Sequence, residues 1–347
     1  IGANVLALNN GTISDPAGNN ATLTHSAVSD NNSYKVDTTA PTVDNFTISD
    51  SLLTIGETAT VDLVFSEAVF GFASAADITD PSGTLAAMTS SDNINWTGTF
   101  TPTANTEEDN NTLSLATSWT DLAGNAGPEE TTANYAIDTL APVSSIVISS
   151  ATGIQNNFLN AGDIVSVTAT FNESVIVDTA SGTPTLTLVV GSTNRTATYT
   201  SGSGSNSLVF QYTIQAGETD DNGISIGADV LALNSSTIKD AVLNNATLTH
   251  SAVSANASYR VDTTLPTVSS VEITSATGML NNSLNAGDVV SVTATFNEIV
   301  MSTGSPQLTI VVGSTNRTAT YTSGSGSTSL VFQYTIQAGE TDDNGIS

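Results

Sequence analysis

Carboxylates are the only chemically capable side chains that this sequence supplies in number and at repeated positions. It holds 33 Asp and Glu against five Lys and Arg, with two His and no Cys. The acids recur in a few settings. A Glu follows an apolar run in FSE at Glu67 and in FNE at Glu173 and Glu298. An Asp opens a short turn at Asp15, Asp121 and Asp240, and another heads a seven-residue phrase at Asp37, Asp138 and Asp262. Acidic groups also sit at Glu107, Glu108 and Asp109, at Glu218, Asp220 and Asp221, and at Glu340, Asp342 and Asp343. Oxygen-only sets of this kind suit calcium, which takes six to eight oxygens, largely from carboxylates and carbonyls.

Other chemistries have less to work with. A His-based zinc site or a Ser-His-Asp triad would need His25 and His250, which occupy the same place in the repeated ATLTHSAVS. That shared context reads as a structural feature. Carboxylate pairs for glycoside hydrolysis have no sequence feature that marks a cleft, so the expectation is a chain without catalytic activity. DDNG at Asp220 lacks the alternating ligands and closing Glu of an EF-hand. Asp, Asn and Gly also favour turns for backbone reasons alone, so solvated turns are the plain alternative to a metal.

Ligands must be positioned, and the elements on offer are strands. In ATVDLVF, Val61, Leu63 and Phe65 share a face, and Val165, Val167, Ala169 and Phe171 do the same further on. So do Leu208, Phe210, Tyr212 and Ile214, while no segment sustains a 3.6-residue period. Strands are expected at 43–48, 58–65, 84–88, 94–100, 112–118 and 133–137 in the first full unit, and at 5–8 and 34–36 before it. Gly-, Ser- and Asn-rich turns separate such runs. Seven or so short strands per unit point to antiparallel β-sandwiches of immunoglobulin type.

The units are delimited by the phrases DTTAPTV, DTLAPVS and DTTLPTV, whose prolines Pro41, Pro142 and Pro266 stand 101 and 124 residues apart. Proline fixes its own φ and pushes the preceding residue into extended geometry, which suits a stiff connector. Domains are therefore expected at 37–137 and 138–261, with part-domains at 1–36 and 262–347. NGIS at Asn222–Ser225 runs into IGADVLALN; the chain ends in NGIS and begins IGANVLALN. Head and tail read as two parts of one split sandwich. Two strands alone make no stable core, so 1–36 is expected to need a partner sheet.

Successive loops of a sandwich alternate between its ends. The Glu after the second strand and the turn Asp should lie at the N-terminal end, and the acidic loop before the sixth strand at the far end. At the middle junction this gathers Glu107 or Asp109 with Asp138, Glu173 and Asp240, a place for calcium to fix the angle between neighbours. The same logic groups Asp37, Glu67 and Asp121. It also groups Glu218, Asp220, Asp221, Asp262 and Glu298, with Asp342, Asp343 and Asp15 at the open ends.

The phrases AGD-x-V-S-V-T-A-T-F at Ala161 and Ala286, QAGETDDNGIS at Gln215 and Gln337, and DLAGN at Asp121–Asn125 resemble tandem bacterial Ig-like repeats. INWTGTFTP at Ile94–Pro102 is similar to a second variety of them. The resemblance implies an extracellular extender or stalk, often calcium-rigidified, that carries a binding module away from the cell. A net charge of −28 argues against nucleic acid or an anionic membrane as partner. Further copies of the same repeats remain as partners. The alternative function is a filament or sheath subunit, in which residues 1–36 of one copy complete residues 262–347 of the next by strand addition.

Overall fold

The computed structural model describes all 347 residues. It is an all-β chain; a four-residue helix, Ser74–Asp77, and a 3₁₀ turn, Ala257–Tyr259, are its only helical elements. Its apolar residues gather into three clusters, one within each of 37–137, 138–261 and 262–347. No residue of 1–36 belongs to any of them. No helix is long and apolar enough to cross a membrane.

In the first unit, Val43–Ile48, Ala59–Phe65, Asn95–Pro102 and Gly83–Leu85 form one sheet in that order. Leu52–Thr54, Tyr135–Asp138 and Glu107–Asn111 form a second. The alternation in ATVDLVF translates directly into packing: Ala59, Val61, Leu63 and Phe65 are buried, and Asp62 is exposed. Phe65 packs on the fully buried Trp119 with ring centroids 4.4 Å apart. Gly127 is required there, because a Cβ would fall 1.9 Å from the Trp119 ring.

One expectation is corrected. Glu107, Glu108 and Asp109 do not lie in a loop; they belong to the strand Glu107–Asn111, paired antiparallel with Tyr135–Asp138. The acids are exposed, so backbone pairing and not apolar alternation makes this strand. Buried Asn111 secures it by donating to the carbonyls of Glu108 and Tyr135 at 3.1 and 3.2 Å.

The second unit has the longer sheet. Ser144–Ala151, Ile164–Asp178, Ser205–Thr213, Thr193–Ser201, Thr185–Val190 and Ser225–Ala232 follow one another across it. Ile164–Asp178 breaks register between Thr170 and Val175, and beyond the break its end pairs with Thr237–Lys239. Phe158–Leu159, Arg260–Asp262 and Thr219–Asp220 make the small sheet that closes the core. Asp220 is thus also a strand residue and not a loop residue.

The third unit repeats the long sheet with Val268–Thr277, Val289–Val300, Ser327–Thr335, Thr315–Ser323 and Gln307–Val312, and has no closing sheet. Residues 1–36 contain no strand. The runs expected at 5–8 and 34–36 stay irregular and unpaired, and the one bridge in the segment, Ser14 with Asn20, lies between them. Strand geometry needs a neighbouring strand to take its hydrogen bonds, and none lies beside them.

Candidate metal centre

Each junction is built from the repeated phrases. In FNE the Asn172 side chain accepts from Val143 N–H at 2.8 Å while Asn172 N–H donates to the Val143 carbonyl at 3.2 Å. Asn297 does the same to Thr267, and Ser66 to Thr42. The middle residue of FNE or FSE therefore pins the chain just after the junction proline. The Thr after the junction Asp works on the other side. Thr139 Oγ1 donates to the Thr103 carbonyl at 2.7 Å and accepts from Thr106 N–H at 3.0 Å. Thr263 ties Glu218 and Gly217 in the same way. Two pins, one on each neighbour, leave the Asp between them little freedom.

At the middle junction Asp138, Glu173 and Asp240 present carboxylate oxygens within 4.8 Å of one another. Asp138 ends the last strand of the first unit, whereas Glu173 and Asp240 belong to the second. Asp240 is 1% exposed. One of its oxygens accepts from Val242 and Asn244 N–H at 2.9 and 2.8 Å. The other, Oδ2, is buried without a partner, as is Oε1 of Glu173. Asn244 is turned away from Asp240: its amide donates to the Asp138 carbonyl at 3.0 Å, and its Oδ1 accepts from Ile55 N–H of the first unit at 3.1 Å.

The electrostatics follow from this crowding. Burial, then the charges of Asp240, Asp138 and Glu107, pushes the Glu173 carboxyl up to about 7. Burial likewise raises Asp138, with Asp240, Glu107 and Asp109 adding to it. Glu107 faces Asp138 directly across the strand pair, a like-charge arrangement that destabilises a sheet. Neither of the chain's two ion pairs reaches this place. A divalent cation would satisfy both bare oxygens and cancel the repulsion, so the donor set fits an oxygen-seeking ion such as calcium.

The first junction brings together Asp37, Glu67 and Asp121 within the same 4.8 Å limit. It differs in one respect. Asn125 donates its amide to Asp121 Oδ2 at 2.7 Å and so leaves that carboxylate satisfied, and this bond holds its pKa below the ordinary value. At the third junction only Asp262 and Glu298 meet; burial and then Asp262 raise Glu298. Asp221 lies in the same cavity. Asp15 is exposed, with both oxygens bonded within its own turn, mainly by Asn19.

Three further candidates have structural employment. Glu218 is buried against Arg195 and accepts from Tyr212 OH at 2.5 Å and Gln215 N–H at 2.8 Å. Burial, with Glu218 beside it, pushes Tyr212 up to about 12. Asp220 accepts from Gly191, Asn222 and Gly223 N–H, which locks one turn against another. Asp342 does the same with Gly313, Asn344 and Gly345, and Asp343 is exposed beside it. The roles of Asn244, Thr139 and Arg195 were not anticipated. Recurrence was the available signal for the Thr, which follows every junction Asp.

Residues 37–137 match the family model described as a bacterial Ig-like domain. Two solved structures align with most of the chain. One is the FdeC adhesin of Escherichia coli, 14% identical, covering 85% of this chain and 90% of that one at a TM-score of 0.29. The other is a protein from Corynebacterium diphtheriae described as membrane anchored, 10% identical, covering 88% and 85% at a TM-score of 0.21. No curated protein matches. The first unit contributes the strand that ends at Asp138 to the middle junction, so the carboxylate cluster straddles the boundary between it and the next sandwich.

Proposed function

We propose that the chain is a non-catalytic structural segment of a bacterial extracellular surface protein. Its serial Ig-like units hold a binding module away from the cell, and calcium stiffens the junctions between them. The family of residues 37–137 and the succession of sandwiches joined by short proline phrases support this reading. The observation that carries it is the middle junction. Its three carboxylates come from two different units, and two of their oxygens are buried with no hydrogen-bond partner. An ion held there by Asp138, Glu173 and Asp240 would tie the end of one sandwich to the start of the next. Tension passing along the chain would then meet a fixed angle and not a hinge.

The test is a calcium titration of the full chain, followed by thermal unfolding and by calorimetry. Binding to the folded form alone stabilises it by about 2.7 kcal/mol at a hundredfold excess over Kd. The expected outcome is a saturable rise in Tm of several degrees, absent in Asp240→Asn. A flat response up to millimolar calcium would remove the ion from this account.

A further inference from the structure

We propose that Asn244 makes calcium binding at the middle junction conditional on docking of the two units it joins. The inference rests on the reading of Asp138, Glu173 and Asp240 as a calcium site and adds what controls it. Asn244 belongs to the second unit and is 5% exposed. Its side chain grips the first unit at two points. The amide oxygen accepts from Ile55 N–H at 3.1 Å, and the amide nitrogen donates to the Asp138 carbonyl at 3.0 Å. Thr54 and Asp138 are partners in a parallel strand pair, so these two backbone groups lie near each other at the end of the unit. A side-chain amide carries an acceptor and two donors, and it fits such a pair as a peptide group would.

The grip has a consequence for Asp240. Both amide hydrogens of Asn244 are taken up by Asp138, at its carbonyl and, more weakly, at its Oδ1 at 3.4 Å. Neither is left for Asp240 Oδ2, which is buried with no partner. Two other turns show what this Asn does when no N–H meets its oxygen. Asn125 donates to Asp121 Oδ2 at 2.7 Å, and Asn19 to Asp15 Oδ2 at 2.9 Å. The amide therefore has two positions. In one it covers the turn carboxylate. In the other it holds the neighbouring unit and leaves the carboxylate bare for a cation, and Ile55 N–H selects that position.

Linkage makes the effect mutual: docking raises the affinity for the ion, and the ion tightens docking. A junction that comes apart returns Asp240 to the Asn244 amide and releases the ion. Stiffening is thereby confined to units that are already aligned.

Ile55→Pro in the full chain tests the coupling. Ile55 is exposed, and its N–H has no partner besides Asn244. It precedes Gly56, at φ +83°, in a turn closed by Glu57 N–H to the Thr54 carbonyl at 3.2 Å. Proline is common at that position of a type II turn, so the substitution removes one donor and should keep the parent's circular dichroism. Calorimetry then follows the calcium binding that Asp240→Asn abolishes. Ile55→Pro should weaken it about tenfold or more, since a charge-assisted bond from Asn244 now competes with the ion. Adding Asn244→Ala to Ile55→Pro should restore most of the loss, because no amide is left to cover Asp240. A simple loss of contact between the units would leave the double variant as weak as the single one. By hydrogen exchange, calcium should slow the Ile55 amide of the parent. Unchanged affinity in Ile55→Pro, a double variant without recovery, or an Ile55 amide indifferent to bound calcium overturns the coupling while the site stands. A parent that binds no more calcium than Asp240→Asn removes the site, and the coupling with it.

Discussion

Residues 138–261 and the two segments 262–347 and 1–36 are written in nearly the same letters, yet the first stretch is a closed sandwich and the others stand open. Ser225–Ala232 is a strand because Thr185–Val190 lies beside it; the equivalent run at 1–8 has no neighbour and forms none. The same contrast holds for charge. Asp240 is buried with a bare oxygen, whereas Asp15 is exposed with both oxygens bonded. Local sequence therefore sets turns and caps in both places. Strand identity and burial come from what packs against them.

The sharpest way to break this comparison is to remove the same side chain from both places. Ile238 belongs to the core of the closed unit, and Ile13 to no core at all. Ile238→Ala should lower stability by about 2–4 kcal/mol, the range for truncating a buried aliphatic. Ile13→Ala should change it by less than about 0.5 kcal/mol. Urea unfolding of the full chain at low concentration checks the pair. Equal losses would mean that 1–36 is buried in the monomer.

The next effect is one of pH. Glu173 titrates at about 7 in the folded chain, against 4.5 for an ordinary Glu, so the folded form holds more protons across that window. Without calcium, the stability that Glu173 contributes is therefore complete below about pH 4.5 and is lost as pH rises through about 7, by on the order of 1–3 kcal/mol. The chain's net charge of −28 also opposes folding at high pH, so Glu173→Gln is the informative reference. That variant should flatten the profile between pH 5 and 8 in EDTA. Calcium competes with the proton for the same oxygens, so its affinity should rise over the same window. A variant profile that parallels the parent's would clear Glu173 of the role.

Much of this was legible in the letters, for physical reasons. Alternation showed that Val165, Val167 and Ala169 share a buried face. Loop alternation in a sandwich grouped Glu107 or Asp109 with Asp138, Glu173 and Asp240; the structure gathers the last three, and neither Glu107 nor Asp109 joins their cluster. Glu107–Asn111 was not legible as a strand, because EEDNN has neither alternation nor β propensity and is held by its backbone partner. The Arg195–Glu218–Tyr212 strut escaped for another reason. Its members lie on separate strands, and only register brings them together.

The smallest effect separates the phrases themselves. Thr139 is buried and ties Thr103 and Thr106, the residues that lead into the acidic strand beneath Asp138. Thr38, at the same place in the first phrase, is exposed and makes no side-chain hydrogen bond. Thr139→Val keeps the volume but leaves the Thr106 N–H without its acceptor, a loss of about 1–2 kcal/mol. Thr38→Val should be neutral within about 0.5 kcal/mol. The second readout is calcium affinity. The Thr139 variant should weaken it, because Asp138 is then held on one side only, and the Thr38 variant should leave the middle site unchanged. If both variants unfold alike, the pin belongs to the phrase wherever it occurs, and the context argument drawn from the two segments fails at its finest scale.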